Sequence, residues 1–200
     1  MHNIKIIFFG LLVFFGLTAN AQEEESFFKK ENVFTGGSVS LGFGNTQTNL
    51  GASPYFGYSL NKYVDFAAVI SFNYVSQRDI VPPGGDKLRQ KLYGPGAFIR
   101  LFPAKFLFAQ AQYEFNMIRQ NYIPAIGSPY SSEKYKFDAH SLLLGAGISN
   151  GKDFPEQKSY YYFSVLWDVA KSPYSPYKDQ LQRSVPIFRA GYNIALFQGK

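Results

Sequence analysis

The sequence contains no cysteine and few charged residues. Asp, Glu, Lys and Arg make up 17% of its 200 residues, whereas a soluble domain carries about 25%. The lack of cysteine excludes disulfides and excludes a lipid-anchored cysteine after the leader. Because small exported domains often depend on disulfides, this chain must be held together in another way.

Only one long hydrophobic run is present, and it lies at the amino terminus. An unbroken apolar run over residues 6–17 follows Lys5, and Thr18-Ala-Asn-Ala21 ends in an Ala-x-Ala pattern. This layout predicts a secretory signal peptide over 1–21 with cleavage before Gln22. The run is about 12 residues long, shorter than the roughly 20 of a spanning helix, which disfavours an uncleaved anchor. No later run predicts a transmembrane helix.

The chain is basic, with a formal net charge of +6. A basic balance suggests nucleic-acid binding, but the Lys and Arg residues are scattered and the leader predicts export. We therefore predict no nucleic-acid partner. The sequence has no histidine pair with metal-ligand spacing, and its glycine-rich runs lack nucleotide-binding fingerprints. We predict no metal, no cofactor and no catalytic residue.

After a polar leader over 22–32, predicted to be a flexible periplasmic tail, apolar residues alternate with small or polar ones. Residues two apart in a strand point to the same face. In the last stretch Phe188, Tyr192 and Ile194 share one parity, and Arg189 lies on the other. The pattern predicts eight strands, at 33–44, 49–59, 63–75, 92–101, 106–117, 137–149, 160–169 and 185–197. The last strand would leave an open edge unless it paired with the first, which we expect around Val39 to Phe43.

The connections after the second and fourth strands are tight, whereas those at 76–91, 118–136 and 170–184 are long. Short turns at one end and long loops at the other are typical of outer-membrane barrels. The fold class is therefore all-β: an eight-stranded antiparallel up-and-down transmembrane β-barrel over 33–200, preceded by a cleavable signal peptide. Pro54 and Pro95 fall inside strands, where they need a bulge or a rim position.

The two parities of the strands differ in charge. The parity rich in large apolar residues carries no Asp, Glu, Lys or Arg, as expected of a surface in contact with lipid. A soluble barrel of lipocalin type is the alternative, but it would carry Lys and Glu outside. The other parity carries five charges that we predict to form a network in the lumen: Asp65, Arg100, Glu114, Asp168 and Arg189. This network is either a structural filling or a gate for small solutes.

Other residues suggest further sites. His140 is the only histidine after the leader, and a lipid A-modifying hydrolase would need it to meet a serine and an acid. Ser141 points to the opposite face, so His140 is interpreted as an outward rim residue. Recurring Ser-Pro-Tyr motifs place Tyr130, Tyr174 and Tyr177 in loops, as a candidate recognition surface. The long loops also contain more Lys and Arg than Asp and Glu, which makes the phosphates of lipopolysaccharide a candidate partner.

The chain resembles the small outer-membrane β-barrel family of Gram-negative bacteria, of the OmpA-like transmembrane class. The resemblance covers about residues 33 to 197 and depends on the leader, Gly57-Tyr-Ser-Leu60, Tyr93-Gly-Pro-Gly-Ala-Phe-Ile-Arg100 and the last strand. It implies a barrel-assembly signal, read by the assembly machinery, in the last strand: Arg189, Gly191, Ile194, Leu196 and Phe197. Phe197 is followed by three more residues, which departs from the usual terminal aromatic.

These observations predict a non-enzymatic, monomeric outer-membrane protein with a structural or surface-interaction role. Outer-membrane lipid and lipopolysaccharide are its expected surroundings. A small pore for ions or solutes is the first alternative, and a lipid A-modifying barrel enzyme is the second.

Overall fold

A computed structural model describes residues 28–82, 84–152, 159–170, 172–179 and 181–197. The predicted signal peptide lies outside these residues. After a short 3-10 turn at Lys30–Asn32, eight antiparallel strands form a closed barrel in sequence order. The strands are β1 Val33–Phe43, β2 Gln47–Ser59, β3 Val64–Arg78, β4 Lys87–Ala104, β5 Leu107–Ile123, β6 Glu133–Ser149, β7 Tyr160–Asp168 and β8 Ile187–Ala195. Among the described residues, no helix is long and apolar enough to cross a membrane.

The eight predicted strands and their order are confirmed, and so is closure by the last strand. β8 pairs antiparallel with β1, where Phe188 lies opposite Leu41 and Ala190 opposite Val39. No edge strand is left open, so each strand has a hydrogen-bonded neighbour on both sides.

The predicted boundaries of β3 to β6 are wrong at one end, because these strands run well into the segments that we assigned to long loops. Pairing continues up to Arg78 opposite Lys87 and Tyr122 opposite Glu133. The hydrophobic alternation stops earlier than the backbone pairing, since the outward side chains there become charged. We call this the long-loop end of the barrel and the opposite one the short-turn end.

The two strand prolines do not require bulges or rim positions, contrary to our expectation. Ladder pairing between β2 and β3 is interrupted at Pro54 and resumes in the same register, and pairing between β4 and β5 does the same at Pro95. In an antiparallel strand each backbone N–H faces one neighbour only. Each proline therefore removes a ladder bond on one side and leaves the register intact.

The predicted division of the two faces is observed. Outward positions carry large apolar side chains such as Val39, Phe56, Ile70 and Tyr161, which are about half exposed or more, whereas the five predicted inward charges are buried. The interior nearer the short-turn end is aromatic and contains Phe34, Tyr55, Phe98, Phe102, Phe108, Tyr160 and Tyr162.

Inward-facing glycines make room for these rings. A Cβ on Gly57 would lie 2.4 Å from the ring of Phe34, and one on Gly191 would lie 2.5 Å from the ring of Tyr162. Both rings reach across to the strand that carries the glycine. At these two positions a large ring therefore occupies the space that a side chain on the glycine would take.

Candidate functional site

The centre of the lumen is built around the carboxylate of Glu114 on β5. Arg189 of β8 forms an ion pair with it, with 3.0 Å between Nη2 and Oε1, and also donates from Nη1 to Gln112. Ser71 of β3 donates to the same Oε1 at 2.8 Å. Both charges are almost fully buried, so each depends on these partners to offset its desolvation.

Arg100 of β4 occupies the aromatic part of the lumen and does not pair with Glu114 or Asp168. Its guanidinium carbon lies 3.9 Å from the ring centre of Tyr162 and 4.5 Å from that of Phe98. Its Nε donates to Gln110 at 2.8 Å and its Nη1 donates to Tyr160 at 3.3 Å. A buried guanidinium is stabilised by ring faces as well as by hydrogen bonds.

Asp65 of β3 pairs with a residue that the sequence analysis missed. Lys152, in the turn between β6 and β7, folds inward and forms a salt bridge with Asp65. Burial lowers the pKa of Lys152 below its ordinary value of 10.5, whereas the Asp65 carboxylate acts in the opposite direction. Tyr160 also donates to Asp65, at 2.9 Å. Strand periodicity gives no information on side chains in turns, so the sequence offered no signal for Lys152.

Amide side chains on β5 link Arg100 to the carboxylate of Glu114. Gln110 donates to Gln112 at 2.8 Å, and Gln112 donates to Glu114 at 2.7 Å. Because Gln110 also accepts from Arg100, hydrogen bonds run from Lys152 and Asp65 through Arg100 to Glu114. The hydrogen-bond network therefore spans most of the lumen, and the neutral side chains of Gln110 and Gln112 connect its charged residues.

The loop between β7 and β8 enters the lumen from the long-loop end. Tyr177 is 1% exposed, and its hydroxyl donates to Oε2 of Glu114 at 2.6 Å and accepts from Asn73 at 3.1 Å. The backbone of this loop is fixed as well, since Gln47 donates to the carbonyl of Pro176 at 3.0 Å. Tyr177 thus differs from the expectation of an exposed recognition residue, whereas Tyr130 and Tyr174 are exposed.

Asp168 is buried but does not contact Arg100 or Arg189. Its carboxylate accepts from the backbone N–H of Leu142 at 3.0 Å and of Ala170 at 2.9 Å, and from the hydroxyl of Ser175. Asp168 therefore anchors the start of the loop that carries Tyr177. Of the five predicted charges, Asp65 is thus bound to Lys152, Glu114 is paired with Arg189, and Asp168 is this anchor. Arg100 lies between the first two groups and is linked to both by hydrogen bonds.

His140 lies on the outer face but not at the rim, because β6 begins seven residues before it. The Tyr113 hydroxyl and His140 Nδ1 lie 2.5 Å apart, and the Phe115 ring centre is 5.1 Å from that of His140. Ser141 points inward and accepts a hydrogen bond from Asn116. His140 and Ser141 therefore do not meet, and a tyrosine is the polar partner of His140.

The residues of the predicted assembly signal lie on both faces of the last strand. Arg189 points into the lumen, Ile194 is exposed on the outer face, and Phe197 is exposed beyond the end of β8. β8 ends at Ala195, and the N–H of Leu196 still donates to the carbonyl of Val33.

The part of the polar leader that the structure describes lies at the short-turn end and is bound to the barrel. The N–H of Lys29 donates a hydrogen bond to the Tyr58 hydroxyl.

Together these features define the class of protein: a closed eight-stranded antiparallel β-barrel with an apolar outer wall and a polar lumen filled by side chains. No protein-family model matches the sequence, and no curated protein matches it.

Solved structures with similar folds are distant in sequence. The attachment invasion locus protein Ail of Yersinia pestis, in complex with the heparin analogue sucrose octasulfate, is 10% identical, with 80% of this chain and 93% of that chain covered and a TM-score of 0.43. The N-terminal β-barrel domain of Pseudomonas aeruginosa OprF is 13% identical, with 82% and 98% covered and a TM-score of 0.43. Neisserial surface protein A is 12% identical, with 82% and 96% covered and a TM-score of 0.42.

Proposed function

We propose that this chain is an integral outer-membrane protein with a structural or surface-interaction role, non-enzymatic, with a lumen closed by its own side chains. The observation that carries the proposal is the outer wall. From the short-turn end up to Tyr74, Tyr93, Met117 and His140, no outward position of the described strands carries Asp, Glu, Lys or Arg. Exposed apolar area of this extent is unfavourable in water and favourable in lipid.

The closed lumen is supported by the packing of its interior. Gln110, Gln112 and Glu114 are buried along one strand, and Tyr177 fills the lumen above them. An eight-stranded barrel is just wide enough for side chains to fill it. Ions would have to displace the Glu114 and Arg189 pair and the Tyr177 ring in order to pass.

The position of the exposed polar residues supports a surface or structural role. With the lumen filled, the surfaces left for interaction are the long loops and the outer face at the long-loop end. Exposed Tyr130 and Tyr174 in these loops are residues that commonly form contacts with partners.

Two measurements on the chain without residues 1–21, refolded into phosphatidylcholine vesicles, test the proposal. Unheated protein should migrate as a compact species on electrophoresis and shift on heating, and in a planar bilayer it should give no reproducible conductance steps. Tyr177→Ala serves as the comparison, since removal of the ring opens the lumen above Glu114 and should produce steps or leak.

The two outcomes that contradict the proposal differ. Protein that stays soluble and shows no heat-dependent shift would overturn the membrane assignment. Steady conductance steps from the unaltered protein would establish the small pore as the function instead.

A further inference from the structure

The outer face at the long-loop end carries a row of cations that the sequence analysis assigned to loops. Lys91 of β4, Arg119 of β5 and Lys136 of β6 lie directly opposite one another in the pairing register. Directly opposite side chains in antiparallel strands are about 5 Å apart at Cβ. Three positive charges therefore stand side by side on the outer wall.

Further cations extend this row toward the end of the barrel. Arg89 and Lys134 point to the same face two residues nearer the long-loop end. In the pairing register Asn121 of β5 lies between them. Lys87 of β4 lies two residues beyond Arg89, nearer the end of the barrel, and Arg78 of β3 lies directly opposite it. We call this set the basic wall; its members are Arg78, Lys87, Arg89, Lys91, Arg119, Lys134 and Lys136.

The three central cations form no ion pair with another residue in the part of the chain that the structure describes. Among the described residues, no carboxylate lies within ion-pair distance of Lys91, Arg119 or Lys136. Among the described strand residues of this face, Asp138 is acidic; it lies two residues from Lys136 in β6, opposite Met117 and diagonal to Arg119. Arg119 also faces the Tyr93 ring, with 5.5 Å from its guanidinium carbon to the ring centre. Like charges directly opposite on a sheet are destabilising, so an anion bound from outside the chain would stabilise this surface.

The position of the row indicates which anion. The same row continues through Tyr74 of β3 to Leu50 of β2 and Leu41 of β1, and thus changes from apolar to aromatic to cationic. Tyrosines at such a boundary mark the interface between lipid tails and headgroups. In the proposed membrane location these cations stand at headgroup height and point sideways from the outer wall.

The rim beside the wall leaves room for a headgroup. β1 and β2 are joined by a short turn, whereas β3 and β4 project beyond it. Between them lies a cleft of about 570 Å³, and its walls include the hydroxyls of Thr46 and Thr48, the cations Arg78, Lys87 and Arg89, and one carboxylate, Asp79. Hydroxyls and guanidinium groups are donors suited to phosphate.

We propose that the basic wall binds the phosphate groups of anionic lipid in the outer leaflet, with Lys91, Arg119 and Lys136 as its centre. The inference rests on the proposed membrane location and adds a ligand class to it. The inner faces of the same strands carry neutral amides, where Gln90 donates to Gln120 at 2.9 Å. The positive charge is thus confined to the side that meets lipid.

The test compares binding of bisphosphorylated lipid A with binding of lipid A that lacks both phosphates, by native mass spectrometry of protein refolded in neutral detergent. The unaltered protein should prefer the phosphorylated form by at least about tenfold, since each basic residue near an anionic surface adds to the attraction. Raised salt should reduce the preference. The variant Lys91→Gln, Arg119→Gln, Lys136→Gln should lose it.

A matched control removes the same charge at the other end of the barrel. Lys30→Gln, Lys62→Gln, Lys105→Gln alters three exposed cations at the short-turn end and should keep the preference. Heat-dependent electrophoretic mobility verifies that both variants fold. A soluble sulfated polysaccharide, added without lipid, should bind less tightly than phosphorylated lipid A.

The inference is overturned if the wall variant keeps the preference, or if the sulfated polysaccharide binds as tightly as phosphorylated lipid A. Failure of the proposed function gives a different result, because the protein would then not insert into vesicles. Protein that inserts but shows no phosphate preference refutes the basic wall alone.

Discussion

Tyr177 donates a hydrogen bond of 2.6 Å to Oε2 of Glu114, although the two residues lie 63 positions apart in the chain. One is in the loop that follows β7 and the other is in the middle of β5. This contact makes the loop part of the barrel interior. It also ties the position of the loop to the middle of β5.

Removal of the Tyr177 hydroxyl should destabilise the barrel. Tyr177→Phe leaves Glu114 without one donor and Asn73 without its acceptor, which we expect to cost about 1–3 kcal/mol in the free energy of unfolding. Urea unfolding in vesicles, followed by tryptophan fluorescence, measures the loss. Tyr174→Phe alters an exposed tyrosine of the same loop and should change nothing; an equal loss from both variants would contradict the contact.

The Glu114 and Arg189 pair should show strong coupling. Glu114→Gln or Arg189→Met alone leaves one buried charge without its partner and should cost about 3–5 kcal/mol. The double variant should cost clearly less than the sum of the two single losses, because no unpaired charge remains. The same unfolding assay gives the four values of the cycle, and additive losses would rule out a direct interaction.

Two neighbouring glycines of β1 should respond differently to alanine. A Cβ on Gly36 would lie 2.3 Å from the carbonyl oxygen of Tyr192 and 2.6 Å from the Tyr55 ring, whereas one on Gly37 would meet nothing nearer than 3.8 Å. Gly36→Ala should lower the free energy of unfolding by about 1–3 kcal/mol through overpacking. Gly37→Ala should leave it unchanged or raise it slightly. Equal effects would contradict the close packing at Gly36.

Asp179 should make its loop sensitive to acid. Partial burial acts to raise the pKa of Asp179, but hydrogen bonds from the backbone and side chain of Arg183 outweigh it and bring the pKa below 3.8. A carboxyl group with a lowered pKa stabilises the folded form above its ordinary pKa. That stabilisation is lost as the pH falls through the lowered value.

The measurement is the amide exchange rate of Leu181 and Arg183, whose N–H groups both donate to Asp179. Protection should be constant from pH 7 to about pH 4 after correction for intrinsic exchange, and should fall below that. In Asp179→Asn the protection should be weak at every pH and should not titrate. Unchanged acid sensitivity in that variant would assign the transition to another group.

Strand periodicity was sufficient to predict the barrel, its closure and the inward side of Glu114 and Arg189. The alternation assigns each side chain to the outer or the inner face, because residues two apart in a strand point to the same side. The ends of β3 to β6 could not be predicted in this way. Beyond the apolar band both faces are polar, so hydrogen-bonded strand and loop look alike in the sequence.

The same limit explains the missed parts of the lumen. Lys152 and Tyr177 reach the interior from connecting segments, where no repeat indicates the direction of a side chain. Arg100 was placed inside, but its aromatic surroundings were not predicted, since Tyr55, Phe98 and Tyr162 come from three different strands. Contacts between residues far apart in sequence depend on the closed geometry itself.

The contact between Arg189 and Glu114 bears on the order of assembly. Arg189 lies on the last strand, so Glu114 has no cationic partner until β8 has arrived and the ring is shut. A barrel without β8 would lack this partner of Glu114, and a buried charge without a partner is costly. The polar filling thus distinguishes a finished barrel from one that still lacks a strand.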